Sequence, residues 1–187
     1  MIKVGITGQA GFIGTHLFNY LGLQAGIERV HFDKYFFNNK NDLQTFVAQC
    51  DVIIHLAAMN RHTNPRFIYD TNVELVTQLI EACEKKNVSP HILFASSTQE
   101  QVDNLYGKSK LLGRELLEEW ARKSGSKVGG LVIPNVFGPF GKPFYNSVVA
   151  TFCYQLTHNI SPTINVDSTL QLIYVHELVE AISKIAL

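Results

Sequence analysis

The run Ile2-Lys3-Val4-Gly5-Ile6-Thr7-Gly8-Gln9-Ala10-Gly11-Phe12-Ile13-Gly14 decides the fold of this 187-residue chain. Ile2 to Thr7 reads as a buried strand, and apolar residues at helical spacing begin at Phe12. Glycines at 8, 11 and 14 fill the junction. A strand, a glycine turn and a helix in that order are what a loop needs to receive the pyrophosphate of a dinucleotide. Gly8 permits the tight turn, Gly11 lets the pyrophosphate approach the backbone, and Gly14 allows close helix–strand packing. The N–H groups at the helix start, with the helix dipole, stabilise an anion there. Gly8, Gly11, Phe12, Ile13 and Gly14 are thus candidate cofactor-binding residues, against the simpler reading of a glycine-rich turn without a ligand.

Working outward, short apolar runs alternate with amphipathic stretches, the pattern of a parallel sheet with crossover helices. Strands are expected at Arg29 to Phe32, Val52 to Leu56, His91 to Ala95 and Val128 to Ile133. Helices are expected at Phe12 to Leu23, Asp42 to Gln49, Arg66 to Lys86, and from Tyr106 to the Ser124-Gly125-Ser126 break. Pro134 ends the last of those strands, and Gly138, Pro139, Gly141 and Pro143 mark an irregular loop. A helix near Ser147 to Leu156, a strand near Leu170 to Tyr174 and a final helix from Val175 to Ile185 complete the chain. The fold class is α/β: one Rossmann-type doubly wound parallel sheet, with a nucleotide-binding core over 1–133 and mostly substrate-side segments over 134–187.

Sixteen basic residues balance sixteen acidic ones, with no basic stripe for nucleic acid and no Lys/Arg cluster for a membrane surface. With 46% hydrophobic and 17% charged residues, the composition is that of a soluble globular domain. No apolar run approaches the roughly 20 residues that span a bilayer. The chain opens directly on a strand with no signal peptide visible, so a cytoplasmic protein is expected. Cys50, Cys83 and Cys153 lack metal-ligand spacing and are expected to be reduced, buried thiols; no metal site is expected.

Asp33 closes the expected second strand, 25 residues after Gly8. An acid there can accept hydrogen bonds from the adenosine ribose and favour NAD(H), whereas the adjacent Lys34 can pair with a 2′-phosphate. A surface Asp–Lys pair with no ligand role is the third reading. Further along, Tyr106 and Lys110 share one helix face. An ammonium beside a phenol stabilises the phenolate, so the pair can exchange a proton with an alcohol or ketone oxygen. The preceding strand ends Phe94-Ala95-Ser96-Ser97-Thr98, placing small hydroxyls where ligands bind in open α/β sheets. One such hydroxyl can hold a substrate oxygen. A turn that uses its serines for backbone hydrogen bonds is the alternative, and it suits Ser96 better than Ser97.

Together these residues resemble the extended short-chain dehydrogenase/reductase family of nucleotide-sugar epimerases, dehydratases and reductases, over nearly the whole chain. Thr7 to Gly14 resembles its phosphate loop, and His55-Leu56-Ala57-Ala58 its turn beneath the nicotinamide. The resemblance implies a catalytic tetrad of Asn72, Ser97, Tyr106 and Lys110, and cofactor contacts from Leu56, Ala57, Ala58 and Pro134. Asn60-Arg61, the short serine-to-tyrosine loop and Lys142 to Tyr154 are similar to CapF-type capsular-polysaccharide reductases. That similarity implies reduction, with NADP(H), of the C4 ketone of a UDP-2-acetamido-2,6-dideoxy-hexulose. It also implies substrate contacts from Asn60, Arg61, Thr98, Asn135, Lys142 and Asn146, and a homodimer. In this group a zinc cupin domain epimerises C3; none follows Leu187, so C3 epimerisation is expected to lie outside this chain. The sugar-binding lobe is expected to be small and truncated, leaving either a fragment or a minimal reductase. His176 stands where the family carries an aspartate, and is read as structural. Thr98-Gln99 after Ser97 replaces the Asp-Glu pair of the 4,6-dehydratases and argues against dehydration. A 4-epimerase, or a non-catalytic dinucleotide-binding module, remains the alternative.

Overall fold

The computed structural model describes residues 1–164 and 167–187. Five strands form one parallel sheet: β1 (Ile2–Thr7), β2 (Ile27–Val30), β3 (Val52–His55), β4 (His91–Ser97) and β5 (Val128–Ile133). Their order is β2-β1-β3-β4-β5. The chain reverses direction across the sheet between β1 and β3, which opens a crevice beyond the carboxyl ends of those strands. In the β1–β3 register Thr7 lies opposite His55, so both strands end level at that crevice.

Strand alternation sorts the core into two layers. Val52 and Ile54 of β3, with Leu93 and Ala95 of β4, pack against α1 (Phe12–Leu21) and α6 (Val175–Ala186). Ile53, Ile92 and Phe94 face the other way, onto α2 (Lys40–Gln49), α3 (Pro65–Lys86) and α4 (Leu105–Ser124). The three-layer, doubly wound architecture expected from the sequence is the one observed. α6 falls within the 134–187 segment, yet Val175, Leu178, Val179 and Ile182 are buried on the nucleotide-binding sheet beside Leu17 and Leu21 of α1. Beyond β5, β6 (Asn135–Phe137) and β7 (Leu172–Tyr174) pair in parallel as a second small sheet, with α5 (Val148–Thr157) between them in sequence.

Several expected boundaries need correction. β2 spans Ile27–Val30 rather than Arg29 to Phe32; Phe32 lies past its end and packs edge-on to Phe36, Phe37 and Phe46. α1 stops at Leu21, two residues short of Leu23, where Gly22 caps it. β4 runs on to Ser97 instead of ending at Ala95. Asn135–Phe137, to which the sequence reading gives no element, forms β6, because Asn135 N–H donates to the Gln171 carbonyl at 3.2 Å and the short strand borrows β7 as its partner. Cys153 is exposed, unlike the buried Cys50 and Cys83, because α5 buries none of its residues. Among the described residues no helix is long and apolar enough to cross a membrane.

Candidate active site

The glycine loop is built as a cradle. Gly8 has φ +74°, and a Cβ there would sit 2.8 Å from the Ala57 amide nitrogen. A Cβ at Gly14 would run into the Gly8 carbonyl oxygen. Only a side-chain-free backbone brings the loop this close to β3. The first helical residues, Phe12 and Ile13, follow Gly11, which offers no side-chain cap, so the N–H groups at the start of α1 are left for an anion. The shape and the donor set fit a pyrophosphate.

Leu56, Ala57 and Ala58 line the floor just beyond β3. Leu56 N–H donates to the Thr7 carbonyl at 3.1 Å, and Ala57 N–H to the Thr7 hydroxyl at 3.3 Å. That hydroxyl also meets His55 Nδ1 at 2.7 Å. His55 is fully buried and stacked on Phe94, with ring centroids 5.8 Å apart. Burial first, and the charge of Lys110 second, push its imidazole down to about 3, so it is neutral in the folded protein near pH 7. Asp33 accepts from Tyr35 N–H at 2.9 Å, capping a 3-10 turn at 34–38. Lys34 lies over the Tyr35 ring, its Nζ 5.0 Å from the ring centre.

Residues from three elements converge on α4. Asn104 caps this helix, accepting from Gly107 N–H at 2.7 Å, and so fixes its first turn, where Tyr106 sits. Lys110 is only 4% exposed; its Nζ lies 4.8 Å from the Phe94 ring centre and 6.0 Å from that of Tyr106. Burial lowers the Lys110 ammonium to about 8, opposed by the Glu100 carboxylate. Burial also holds the half-buried Tyr106 phenol above its usual value. Asn72, buried on α3, donates to Ser109 Oγ at 3.1 Å, and Ser109 donates to the Tyr106 carbonyl at 2.7 Å. The same asparagine accepts from Met59 N–H at 2.7 Å. Asn72 thus ties the loop after β3 to the tyrosine's turn.

At the end of β4 the two serines differ. Ser96 Oγ donates to Glu100 and is buried, whereas Ser97 Oγ accepts from Gln99 N–H at 3.2 Å and keeps its own proton free to donate. Thr98 follows, exposed, at the start of a second 3-10 turn, Thr98–Gln101. Gly107 packs so closely on this turn that a Cβ would collide with the Gln99 carbonyl oxygen.

The substrate-side candidates gather across a long sequence separation. Arg61 Nε donates to Asn146 Oδ1 at 2.7 Å, and its Nη1 to the Phe144 carbonyl at 3.3 Å. Arg61 and Lys142 both lie against the Tyr145 ring, at 5.0 and 5.4 Å. Asn60, beside Arg61, is exposed, and Pro134 and Asn135 sit at the β5–β6 junction. His176 is exposed at the start of α6 and packs edge-on to Tyr20, a structural contact. Sequence reasoning did not single out Thr7, Ser109, Glu100, Arg114 or Tyr145. Ser109, at i+3 from Tyr106 and adjacent to Lys110, is the most discoverable of them.

With this geometry in place, comparison with known proteins is informative. Residues 4–187 match the NAD dependent epimerase/dehydratase family. The chain is 36% identical over 185 residues to a UDP-2-acetamido-2,6-beta-L-arabino-hexul-4-ose reductase of Pseudomonas aeruginosa, covering 98% of this chain and 49% of that one. The capsular polysaccharide assembling protein CapF of Staphylococcus aureus superposes with a TM-score of 0.79 at 32% identity, over 99% of this chain and 49% of CapF. UDP-glucuronate 4-epimerase 2 of Arabidopsis thaliana is 25% identical, over 76% of this chain and 44% of its own length. The chain therefore spans about half the length of these relatives.

Proposed function

Because this chain belongs to the NAD dependent epimerase/dehydratase family, we propose that it reduces the C4 ketone of a UDP-linked 2-acetamido-2,6-dideoxy-hexulose in the making of a surface polysaccharide precursor. The observation that carries the reading is the buried Lys110 ammonium beside the Tyr106 phenol, at the end of the strand that delivers Ser97. Similarity to the Pseudomonas reductase supports the choice of substrate. The cofactor is a nicotinamide dinucleotide, held by Gly8, Gly11, Phe12, Ile13 and Gly14 at the pyrophosphate, and by Leu56, Ala57, Ala58 and Pro134 further along. When bound, it supplies the hydride.

The chain's own residues handle the proton. Ser97 donates a hydrogen bond to the ketone oxygen and fixes its position. Tyr106 gives its phenolic proton to that oxygen as it becomes an alcohol, and the adjacent Lys110 charge lowers the cost of the phenolate left behind. Asn72 holds the Tyr106 turn through Ser109. Asn60, Arg61, Thr98, Asn135, Lys142 and Asn146 border the sugar-nucleotide side, with Arg61 pinning the loop that carries Asn146. NADP(H) is the preferred form by likeness to the CapF group, with Asp33 the residue that would admit NAD(H). A homodimer working in the cytoplasm belongs to the same reading.

Dehydration is disfavoured because both carboxylate oxygens of Glu100, the acid nearest Ser97 in sequence, are engaged by Arg114 and Ser96. A 4-epimerase would use the same Ser97, Tyr106 and Lys110, and the Arabidopsis likeness keeps it as the second reading. Stoichiometry separates the two. Incubation with a UDP-4-keto-6-deoxy-HexNAc and NADPH should oxidise one cofactor per sugar reduced. Interconversion of C4 epimers of a UDP-sugar, with no net cofactor consumption, would replace the reductase with the epimerase.

A further inference from the structure

A second group of charges lies next to the proposed site without belonging to it. Arg114 grips Glu100 with two parallel bonds, Nε to Oε1 at 3.1 Å and Nη2 to Oε2 at 3.0 Å. Its remaining Nη1 reaches Glu118 at 2.9 Å. Ser96 donates to the same Oε1 of Glu100. The Glu100 side chain is 9% exposed and the Arg114 side chain 28%, so the fork is part-buried rather than a fully exposed surface pair. Glu100 belongs to the 98–101 turn directly after Ser97, and Arg114 lies one helical turn beyond Lys110 on α4. The turn is therefore fastened to α4 twice: through the Gly107–Gln99 contact at the helix start, and through the Glu100–Arg114 fork two turns further on.

We propose that Glu100 and Arg114 are positioning residues: their fork fastens the turn that follows Ser97 to the helix that carries Tyr106 and Lys110. The inference rests on the reductase reading for its kinetic consequence only. The fork has one geometric effect and one electrostatic effect. It fixes the spacing between the hydroxyl that holds the ketone oxygen and the phenol that protonates it, a spacing to which rates are steeply sensitive. It also adds a negative charge that supports the lysine against its burial. Of the titratable groups, Glu100 from the turn and His55 from β3 interact with Lys110 through their charges, and the Tyr106 ring centre on α4 lies 6.0 Å from its Nζ; α3 brings the neutral Asn72 to the neighbouring Ser109. His55 is already neutral there, so Glu100 is the anion that acts on Lys110.

The test uses Glu100→Gln, Arg114→Gln and the double variant, read in two ways. In the intact ligand-free protein, the Lys110 Cε resonance of 13C-lysine-labelled samples, assigned with Lys110→Arg, reports the ammonium's titration. Glu100→Gln should lower that midpoint. Arg114→Gln should raise it, because Glu100 then acts without its neutralising partner, and the double variant should fall between the two singles. In turnover, both single variants should lose about tenfold or more in kcat, with the dissociation constant for NADPH within about twofold of wild type. An unmoved midpoint in all three variants, or shifts of the same sign in both singles, would leave only a packing role and overturn the proposal. Unchanged kcat in both single variants, when the wild type does reduce the ketosugar, would overturn it equally. If a single variant does not fold, the double variant with its neutral Gln–Gln pair supplies the comparison, and a midpoint below that of folded Glu100→Gln or above that of folded Arg114→Gln would contradict the account. Absence of any turnover in the wild type would sink the reductase reading while the lysine titration still decides the fork.

Discussion

Asp33 caps the 34–38 turn through Tyr35 N–H, and in the proposed function it also accepts from an adenosine ribose. Asp33→Ala should raise the ratio of kcat/KM for NADPH over NADH by roughly tenfold or more, the worth of one charge-assisted hydrogen bond; an unchanged ratio would remove Asp33 from cofactor choice. His55 gives a pH prediction. Its folded-state value, about 3, lies below that of a free histidine, so the unfolded chain binds more protons once the pH falls below about 6.5. Stability is then lost as the medium acidifies, by about 2 kcal/mol between pH 6.5 and 5 from this residue alone. Denaturant midpoints across that range should show the loss, and a His55→Asn variant should show a flatter profile. Parallel slopes would contradict the assignment. The pair Ser96 and Ser97 at a strand end was legible from the sequence. The partners that distinguish them were not, because Glu100 commits Ser96 only once Arg114, 14 residues further on, has folded against it.

At the scale of elements, the pairing of turn and helix matters more than either alone. The 98–101 turn and α4 meet at Gly107, where no Cβ fits beside the Gln99 carbonyl. Alanine is the better helix former by about 1 kcal/mol, so on propensity alone Gly107→Ala would stabilise α4. Overpacking should win, costing about 1–3 kcal/mol net of relaxation, and kcat should fall as Ser97 and Tyr106 are pushed apart. A variant as stable and as active as wild type would show that the contact is not a constraint. The long helices α3 and α4 were readable from apolar spacing and, for α4, from the Ser124-Gly125-Ser126 break; their caps at Asn64 and Asn104 are seen in the structure. The strand near Leu170 to Tyr174 was readable and is observed as β7, whereas β6 was not. Three residues carry too little periodicity, and β6 exists only because β7 supplies its partner.

Across the whole molecule, the two layers of helices hold the ends of β1 and β3 level, with β4 running on from Phe94 to Ser97 beside them, and that edge gathers residues remote in sequence. Thr7 meets His55 across 48 positions, and Arg61 meets Asn146 across 85. The alternation of strands and helices conveyed the architecture, and the glycine loop conveyed the cofactor edge, because both are local patterns. The Arg61–Tyr145–Lys142 cluster arises from the return of the chain past β5, which no local pattern records. The account stands or falls on whether Tyr106, placed by this frame against Lys110, delivers a proton to the substrate ketone. The direct measurement compares wild type with Tyr106→Phe in ketosugar-dependent oxidation of NADPH, alongside NADPH binding to each. The account predicts kcat lowered roughly 10²–10⁴-fold with the dissociation constant for NADPH nearly unchanged; full turnover by the phenylalanine variant would contradict it.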